Sequence, residues 1–374
     1  MAEPRAFLGG TPDDVRALVV IFLRGGADGL TLVPPLGDDD YHRARSQLRV
    51  PEREAVRLDD FFGLHPRLAG LAPLYADGDL AVVHAVGSED VTRSHFEAQD
   101  LMEHGGLAAG GWLGRYLRYR PGRQPGALAA VAIGAELPEC LRGAPAVSVF
   151  RSVDEFSLGD RAHVLAPQLA RLYGARADAL GAAGRDTLEA LGRVERLRAA
   201  RYVPADGAVY PDDELGRGLM QVARLIKARV GLEAASVDLD GWDSHFAQQT
   251  LIEPLMARLG DALVAFHRDL GPMMATTTVV VMTEFGRRVA ENASLGTDHG
   301  RGSVMMVLGG GVRGGRVLGS WPGLAAGLLE GPGDLPVTVN YRDVLAPIIA
   351  RQRPGAQLER IFPEYALAPL RLYD

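Results

Sequence analysis

Thr276-Thr-Thr-Val-Val-Val-Met-Thr-Glu284-Phe-Gly-Arg-Arg288 is the stretch on which the fold turns. A β-branched run of strand length that stops at a carboxylate reads as a buried strand. It puts Glu284 at the carboxyl edge, where open α/β sheets hold their ligands. Gly296-Thr-Asp298-His299-Gly300 follows, and then a second apolar run, Val304-Met-Met-Val-Leu-Gly-Gly-Gly311. An Asp-His pair set between glycines ahead of a strand offers an oxygen and a nitrogen donor to a divalent cation.

Outward from this run the same pattern recurs. Ala17-Leu-Val-Val-Ile-Phe-Leu23 is a continuous apolar run, hence a central parallel strand, and it ends in Arg24-Gly-Gly-Ala-Asp28. Residues 80–86 form a second strand leading into Gly87-Ser-Glu-Asp-Val-Thr92-Arg-Ser94-His95, with a helix expected over 96–104. Short strands are expected over 127–150. The Arg/Ala/Leu-rich stretch 160–230 reads as a helical excursion from the sheet, broken near 202–211 by Pro, Gly and Asp. Residues 235–239 feed Asp240-Gly-Trp-Asp243-Ser-His245. After them Ile252, Leu255, Leu259, Leu263, Phe266 and Leu270 mark an amphipathic helix. Strands alternating with helices predict a doubly wound α/β sandwich, as a single domain across 1–374. Gly309-Gly-Gly-Val-Arg-Gly-Gly315 lacks the dinucleotide and P-loop spacings and reads as a hairpin-like connection.

Composition narrows the functional classes. The chain has 374 residues, 23% charged and 47% apolar, ordinary values for a soluble globular enzyme. A formal charge of −7 without a basic stripe argues against a nucleic-acid partner, and the basic stretch from Arg115 to Arg123 reads as a solvated face. No apolar run reaches the roughly 18 residues a membrane span needs, so no membrane partner is expected. Cys140 is the single cysteine, which excludes an intramolecular disulfide and fits a buried, inert thiol in a reducing compartment. Met1-Ala-Glu-Pro-Arg5 shows no signal-peptide core and no twin arginine. A cytoplasmic location is therefore expected, a trimmed export signal being the alternative.

Parallel strands bring their carboxyl ends to one edge, so donors far apart in sequence can meet there. The candidates are Asp28; Ser94 and His95; Asp243 and His245; and Glu284, Asp298 and His299. Taken singly, each reads more readily as a turn former, helix cap or surface pair. Their recurrence at every one of these loops favours a site. Carboxylates with imidazoles suit zinc first, manganese or magnesium being alternatives. A metal beside Ser94 or Thr92 would lower the hydroxyl's pKa and hold an ester oxygen in line for attack. Arg24 or Arg93 would neutralise phosphoryl or sulfuryl oxygens, the competing reading being a surface ion pair. The amides of Gly25 and Gly26 would add donors. His42, His65, His84, His163 and His267 lack neighbours that suggest ligation, and Trp112, Trp242 and Trp321 read as packing residues.

Six motifs together carry a family resemblance. They are Phe22-Leu-Arg-Gly-Gly-Ala-Asp-Gly-Leu30, Arg93-Ser-His-Phe-Glu-Ala-Gln99, Gly111-Trp-Leu-Gly-Arg115, Gly241-Trp-Asp-Ser-His245, Thr283-Glu-Phe-Gly-Arg287 and Gly296-Thr-Asp-His-Gly300. In this order they resemble the signature of the bacterial family catalogued as domain of unknown function 1501, a sulfatase-like branch of the alkaline phosphatase superfamily. The resemblance runs from about residue 17 to Pro363. It implies a three-layer α/β/α sandwich with a mostly parallel sheet and a metal site at its carboxyl edge. Asp28 then resembles the first-strand metal ligand, and Ser94 the nucleophile, with Thr92 as alternative. Asp243 and His245 resemble an Asp/His pair at tighter spacing than the usual Asp-x-x-x-His, and His299 resembles the final His ligand.

The chain departs from the superfamily at Glu284-Phe285, where Asp-His is usual: Glu284 keeps a carboxylate, but Phe285 cannot coordinate. Asp298 or His95 would compensate, or one metal would suffice. The resemblance thus implies a metal-dependent hydrolase or transferase acting on a phosphate or sulfate ester of a small molecule. Arg24 would contact the substrate anion. A degenerate, non-catalytic member that binds an anion or metal remains an alternative, as does a tailoring enzyme that moves such a group between metabolites.

Overall fold

A computed structural model of the chain describes residues 15–120, 126–199 and 201–374. The expectations on residues 1–5, and the part of the basic stretch at 121–123, lie outside the described residues.

Among the described residues, nine strands make the main sheet. In chain order they are β1 (Ala17–Leu23), β2 (Leu80–Gly87), β3 (Ala130–Ile133), β4 (Ser148–Phe150), β5 (Ala234–Leu239), β6 (Thr277–Thr283), β7 (Ser303–Gly309), β8 (Arg316–Leu318) and β9 (Val339–Asn340). Their spatial order is β8-β2-β7-β6-β1-β5-β3-β4, with β9 also paired to β2. Strand β1 lies at the centre, parallel to β5 and β6 on its two sides, as its all-apolar sequence predicts. Only β7 runs against the rest, antiparallel to both β2 and β6.

Alternation along β1 divides the interior into two cores. Val19, Ile21 and Leu23 face one, and Leu18, Val20 and Phe22 the other. The first core packs helices Glu214–Lys227 and Gln248–Leu270, and the second packs Trp112–Arg118 and Tyr341–Gln352. The result is an α/β/α sandwich on a mostly parallel sheet. All six apolar positions predicted to line the 252–270 helix are buried. Of the stretch 160–230, Ala162–Gly174 and Ala179–Ala199 pack mainly on each other. Glu214–Lys227 belongs to the sandwich, with Leu215, Leu219 and Val222 in the first core.

One topological expectation needs correction. Gly309–Gly315 does not close a hairpin: β8 skips past β7 and pairs in parallel with β2. Three successive left-handed glycines, Gly309, Gly310 and Gly311, carry the chain across the sheet edge. Cys140 is buried, and burial raises its thiol pKa, as expected of an inert thiol. No helix among the described residues is long and apolar enough to cross a membrane.

Candidate metal centre

The reversed direction of β7 is what assembles the site. Because β7 runs antiparallel, the loop before it lies at the same rim as the loops after β1, β5 and β6. His299 from that loop meets Asp243 and His245 from the loop after β5. His299 Nε2 lies 3.1 Å from Asp243 Oδ1, His245 Nε2 lies 3.0 Å from the same oxygen, and the two Nε2 atoms are 2.9 Å apart. His95, the first residue of helix His95–His104, enters from the β2 side. Its Nε2 lies 3.5 Å from Asp243 Oδ2. His95, Asp243 and His299 form a cluster able to hold a metal ion.

Hydrogen bonds on the far side of each ring decide what the near side offers. His95 Nδ1 donates to Glu284 Oε1 at 2.8 Å, His299 Nδ1 to the Arg93 carbonyl at 2.9 Å, and His245 Nδ1 to Asp298 Oδ1 at 3.3 Å. With Nδ1 donating, each neutral imidazole presents an Nε2 lone pair inward. His95 Nε2 is buried and has no hydrogen-bond partner among the described residues. Lone pairs 2.9 Å apart that also face a carboxylate repel one another unless a cation or a proton lies between them. Tetrahedral zinc at about 2.0–2.1 Å sets neighbouring donors about 3.3 Å apart, close to the spacings found here.

Several expected ligands and contacts are engaged elsewhere. Asp28 is 2% exposed, and its two oxygens accept from Arg45, Thr31, Gln248 and the Leu30 amide. Five donors saturate the carboxylate, so it caps the turn and neutralises Arg45 rather than facing the histidines. Glu284 is likewise filled, by His95, Gln99, the Gly25 amide and Thr283, and acts on the centre through His95. Asp298 stands behind His245 in the same way. Arg24 pairs with Glu103 at 3.0 Å and Asp238 at 2.9 Å, which leaves it lining a neighbouring cavity rather than free for an anion. The Gly25 amide is spent on Glu284 rather than free for an anion, and the carbonyls of Gly25 and Gly26 accept from Arg287.

The two candidate hydroxyls differ. Thr92 donates to Asp90 at 3.0 Å and accepts the Ser94 amide at 3.2 Å, so it builds the turn. Ser94 is the N-cap of helix His95–His104 yet makes no side-chain capping bond. It follows Arg93, which is held at φ +58° by a bond to the fully buried Asp334 (Nε to Oδ2, 2.8 Å). A left-handed non-glycine residue between the turn and Ser94 costs on the order of 1–3 kcal/mol and marks a constrained position.

Charge balance at the rim follows from these contacts. Burial works to raise the Asp243 pKa, but the Arg287 and His299 hydrogen bonds win and hold it down to about 2. The hydrogen bond to Glu284 raises the His95 pKa. Burial lowers that of His299 despite its Asp243 contact. Phe285, which stands where the resemblance implied a His ligand, packs its ring 4.9 Å from both the His95 and the His299 rings. His95 comes instead from a different strand's loop. Roles for Arg287, Gln99, Gln248 and Arg45 were not legible in the sequence. Arg287 and Gln99 lay inside quoted motifs, without assigned partners.

A cavity of about 740 Å³ is lined by Phe96 and Gln99 of the His95 helix and by Asp238 and Asp240, which lead into the Asp243 loop, but by none of His95, Asp243, His245 and His299 themselves. Its size is within the range of small-molecule sites.

Residues 92–351 match the family described as protein of unknown function (DUF1501), and the chain belongs to that family. No curated protein matches it in sequence. Among solved structures it is similar to the PsFucS1 sulfatase from Pseudoalteromonas sp., with 11% identity and a TM-score of 0.35, covering 81% of this chain and 64% of the sulfatase. This chain therefore spans less than two thirds of that sulfatase's length. The phosphonate monoester hydrolase of Agrobacterium radiobacter is similar at 10% identity and TM-score 0.34, over 81% of this chain and 70% of the other. The PH0037 protein from Pyrococcus horikoshii shows 12% identity and TM-score 0.34, over 92% and 97% respectively.

Proposed function

We propose that this protein is a metal-dependent hydrolase or transferase acting on a phosphate or sulfate ester of a small molecule. Asp243, His245, His299 and His95 would hold the cation, and this donor set suits zinc. One observation carries the reading: two imidazole nitrogens 2.9 Å apart converge on the same oxygen of Asp243, with their outer nitrogens committed to other acceptors. When bound, the cation would lower the pKa of a nearby hydroxyl and stabilise charge on the transferred group.

Ser94 is the nucleophile in this scheme. Its hydroxyl passes its proton to water and its oxygen attacks phosphorus or sulfur in line, while the bond to the ester oxygen breaks and that oxygen takes a proton back from water. Water, or an acceptor alcohol, then cleaves the serine ester and restores the hydroxyl. Arg93 and the turn built by Thr92 hold Ser94 beside His95, and the neighbouring cavity receives the organic part of the ester.

Elemental analysis of the purified protein, with a screen of aryl phosphate and sulfate esters under zinc, manganese and magnesium, tests the proposal. Ser94→Ala should keep the metal and lose turnover; His299→Ala should lower both. Full metal content without turnover of any ester would leave a metal-binding protein and remove the enzymatic reading. Absence of metal at every divalent ion tried would remove both.

A further inference from the structure

Arg287 is a buried cation of this rim, 1% exposed, and it touches every loop that carries a ligand except the His95 helix. Its Nε donates to the Gly26 carbonyl at 2.7 Å and Nη2 to the Gly25 carbonyl, both in the loop after β1. Nη2 also reaches the Trp242 carbonyl at 3.0 Å and Asp243 Oδ1 at 2.8 Å, in the loop after β5. Nη1 donates to the Thr297 carbonyl at 3.0 Å, in the loop before β7. The Arg287 backbone itself pairs with His299 in an antiparallel bridge. One planar side chain thus ties three loops together, and one of its five acceptors is the oxygen that both His245 and His299 face.

We infer that Arg287 is the positioning residue of this centre, setting metal affinity by fixing Asp243 Oδ1 and the loops of His245 and His299 without touching metal or substrate. The inference rests on the metal reading of the site. Two opposed effects decide its sign. A fixed positive charge 2.8 Å from a ligand oxygen works against a second cation. Against that, a guanidinium fork presents its donors in one rigid plane and holds the ligand geometry before the metal arrives, which lowers the cost of ordering it. Positioning wins here because the acceptors lie on three loops that the backbone joins only in pairs, as in the Trp242 amide to the Arg24 carbonyl at 3.1 Å and the Thr297 amide to the Ser244 carbonyl at 3.3 Å, whereas the guanidinium spans all three. A lysine, with one ammonium on a flexible stem, keeps the charge and cannot span them.

The test uses the full chain, stripped of metal and titrated with Co²⁺, its dissociation constant read by competition with a chromophoric chelator and its geometry by the visible absorption band. Arg287→Lys and Arg287→Met should each weaken Co²⁺ binding about 10–100-fold, the range for residues that orient metal ligands, and should alter the band. Arg115→Lys is the control. That guanidinium is also buried and bound to backbone carbonyls, including Ile361 at 2.9 Å and His104 at the opposite end of its helix from His95. It should lower thermal stability and leave the dissociation constant within about twofold. Should Arg287→Met not fold, Arg287→Lys alone decides. Wild-type affinity or tighter binding in Arg287→Lys overturns the inference, as does equal weakening in Arg115→Lys. A wild-type chain that binds no Co²⁺ overturns the metal reading and this inference with it.

Discussion

Asp28→Asn separates the structural role of Asp28 from the metal-binding role that its place after the first strand suggests. In the fold its carboxylate meets the Arg45 guanidinium, and the two side chains are 1% and 0% exposed. Thr31 Oγ1 donates to it at 2.7 Å and Gln248 Nε2 at 2.6 Å. Burial works against the charged carboxylate, but Arg45 and these donors outweigh it and the pKa is lowered. An amide removes the charge and turns one oxygen into a donor facing other donors, leaving Arg45 buried without a counter-charge. Breaking a buried pair from one side costs about 3–5 kcal/mol. An unfolding entropy of about 2.1 cal/mol/K per residue gives about 0.8 kcal/mol/K for a chain of this size, so the melting temperature should fall by about 4–6 °C. Calorimetry reads that loss, and elemental analysis of the same sample should show unchanged metal content. A drop in metal content with an unmoved melting temperature would refute the reasoning and return Asp28 to the coordination sphere.

Two further perturbations test other parts of the structure. His84 is buried, donates from Nε2 to the Val33 carbonyl at 3.0 Å, and burial lowers its pKa to about 4. The folded state therefore keeps it neutral while the unfolded chain takes up a proton below about pH 6.5, so stability is lost as pH falls from about 6.5 to about 4, by up to about 3 kcal/mol. Burial also lowers the His65 pKa to about 4, so urea midpoints measured between pH 7 and pH 4.5 should show the slope of both groups and His84→Gln should reduce it by about half; an identical slope in the variant assigns the loss to other groups. Gly25 sits at φ +117°, where an added Cβ would lie 2.5 Å from the Asp243 amide nitrogen. Gly25→Ala should cost on the order of 1–3 kcal/mol and displace the Asp243 loop, weakening Co²⁺ binding; unchanged affinity would show that the two loops are not in rigid contact.

The sequence by itself determined the sheet and its two faces. The apolar runs at 17–23, 80–86 and 277–283 are buried on both sides, and a strand of that composition has no other stable place in a soluble fold. The helix over 252–270 was equally legible, because its apolar period is local. The donor types at the strand ends, His95, Asp243, His245 and His299 among them, could also be read off, since a loop after a parallel strand is at the rim wherever the strand lies. Which of those donors face one another was decided only by the tertiary structure. Asp28 and Glu284 occupy the same kind of loop position as Asp243, yet Arg45 comes to neutralise one and His95 donates a hydrogen bond to the other. Arg287 gained its role from carbonyls on three loops. Hydrogen-bond partners so distant along the chain leave no periodic trace in sequence, because they are set by the order of strands in the sheet and by the reversal of β7.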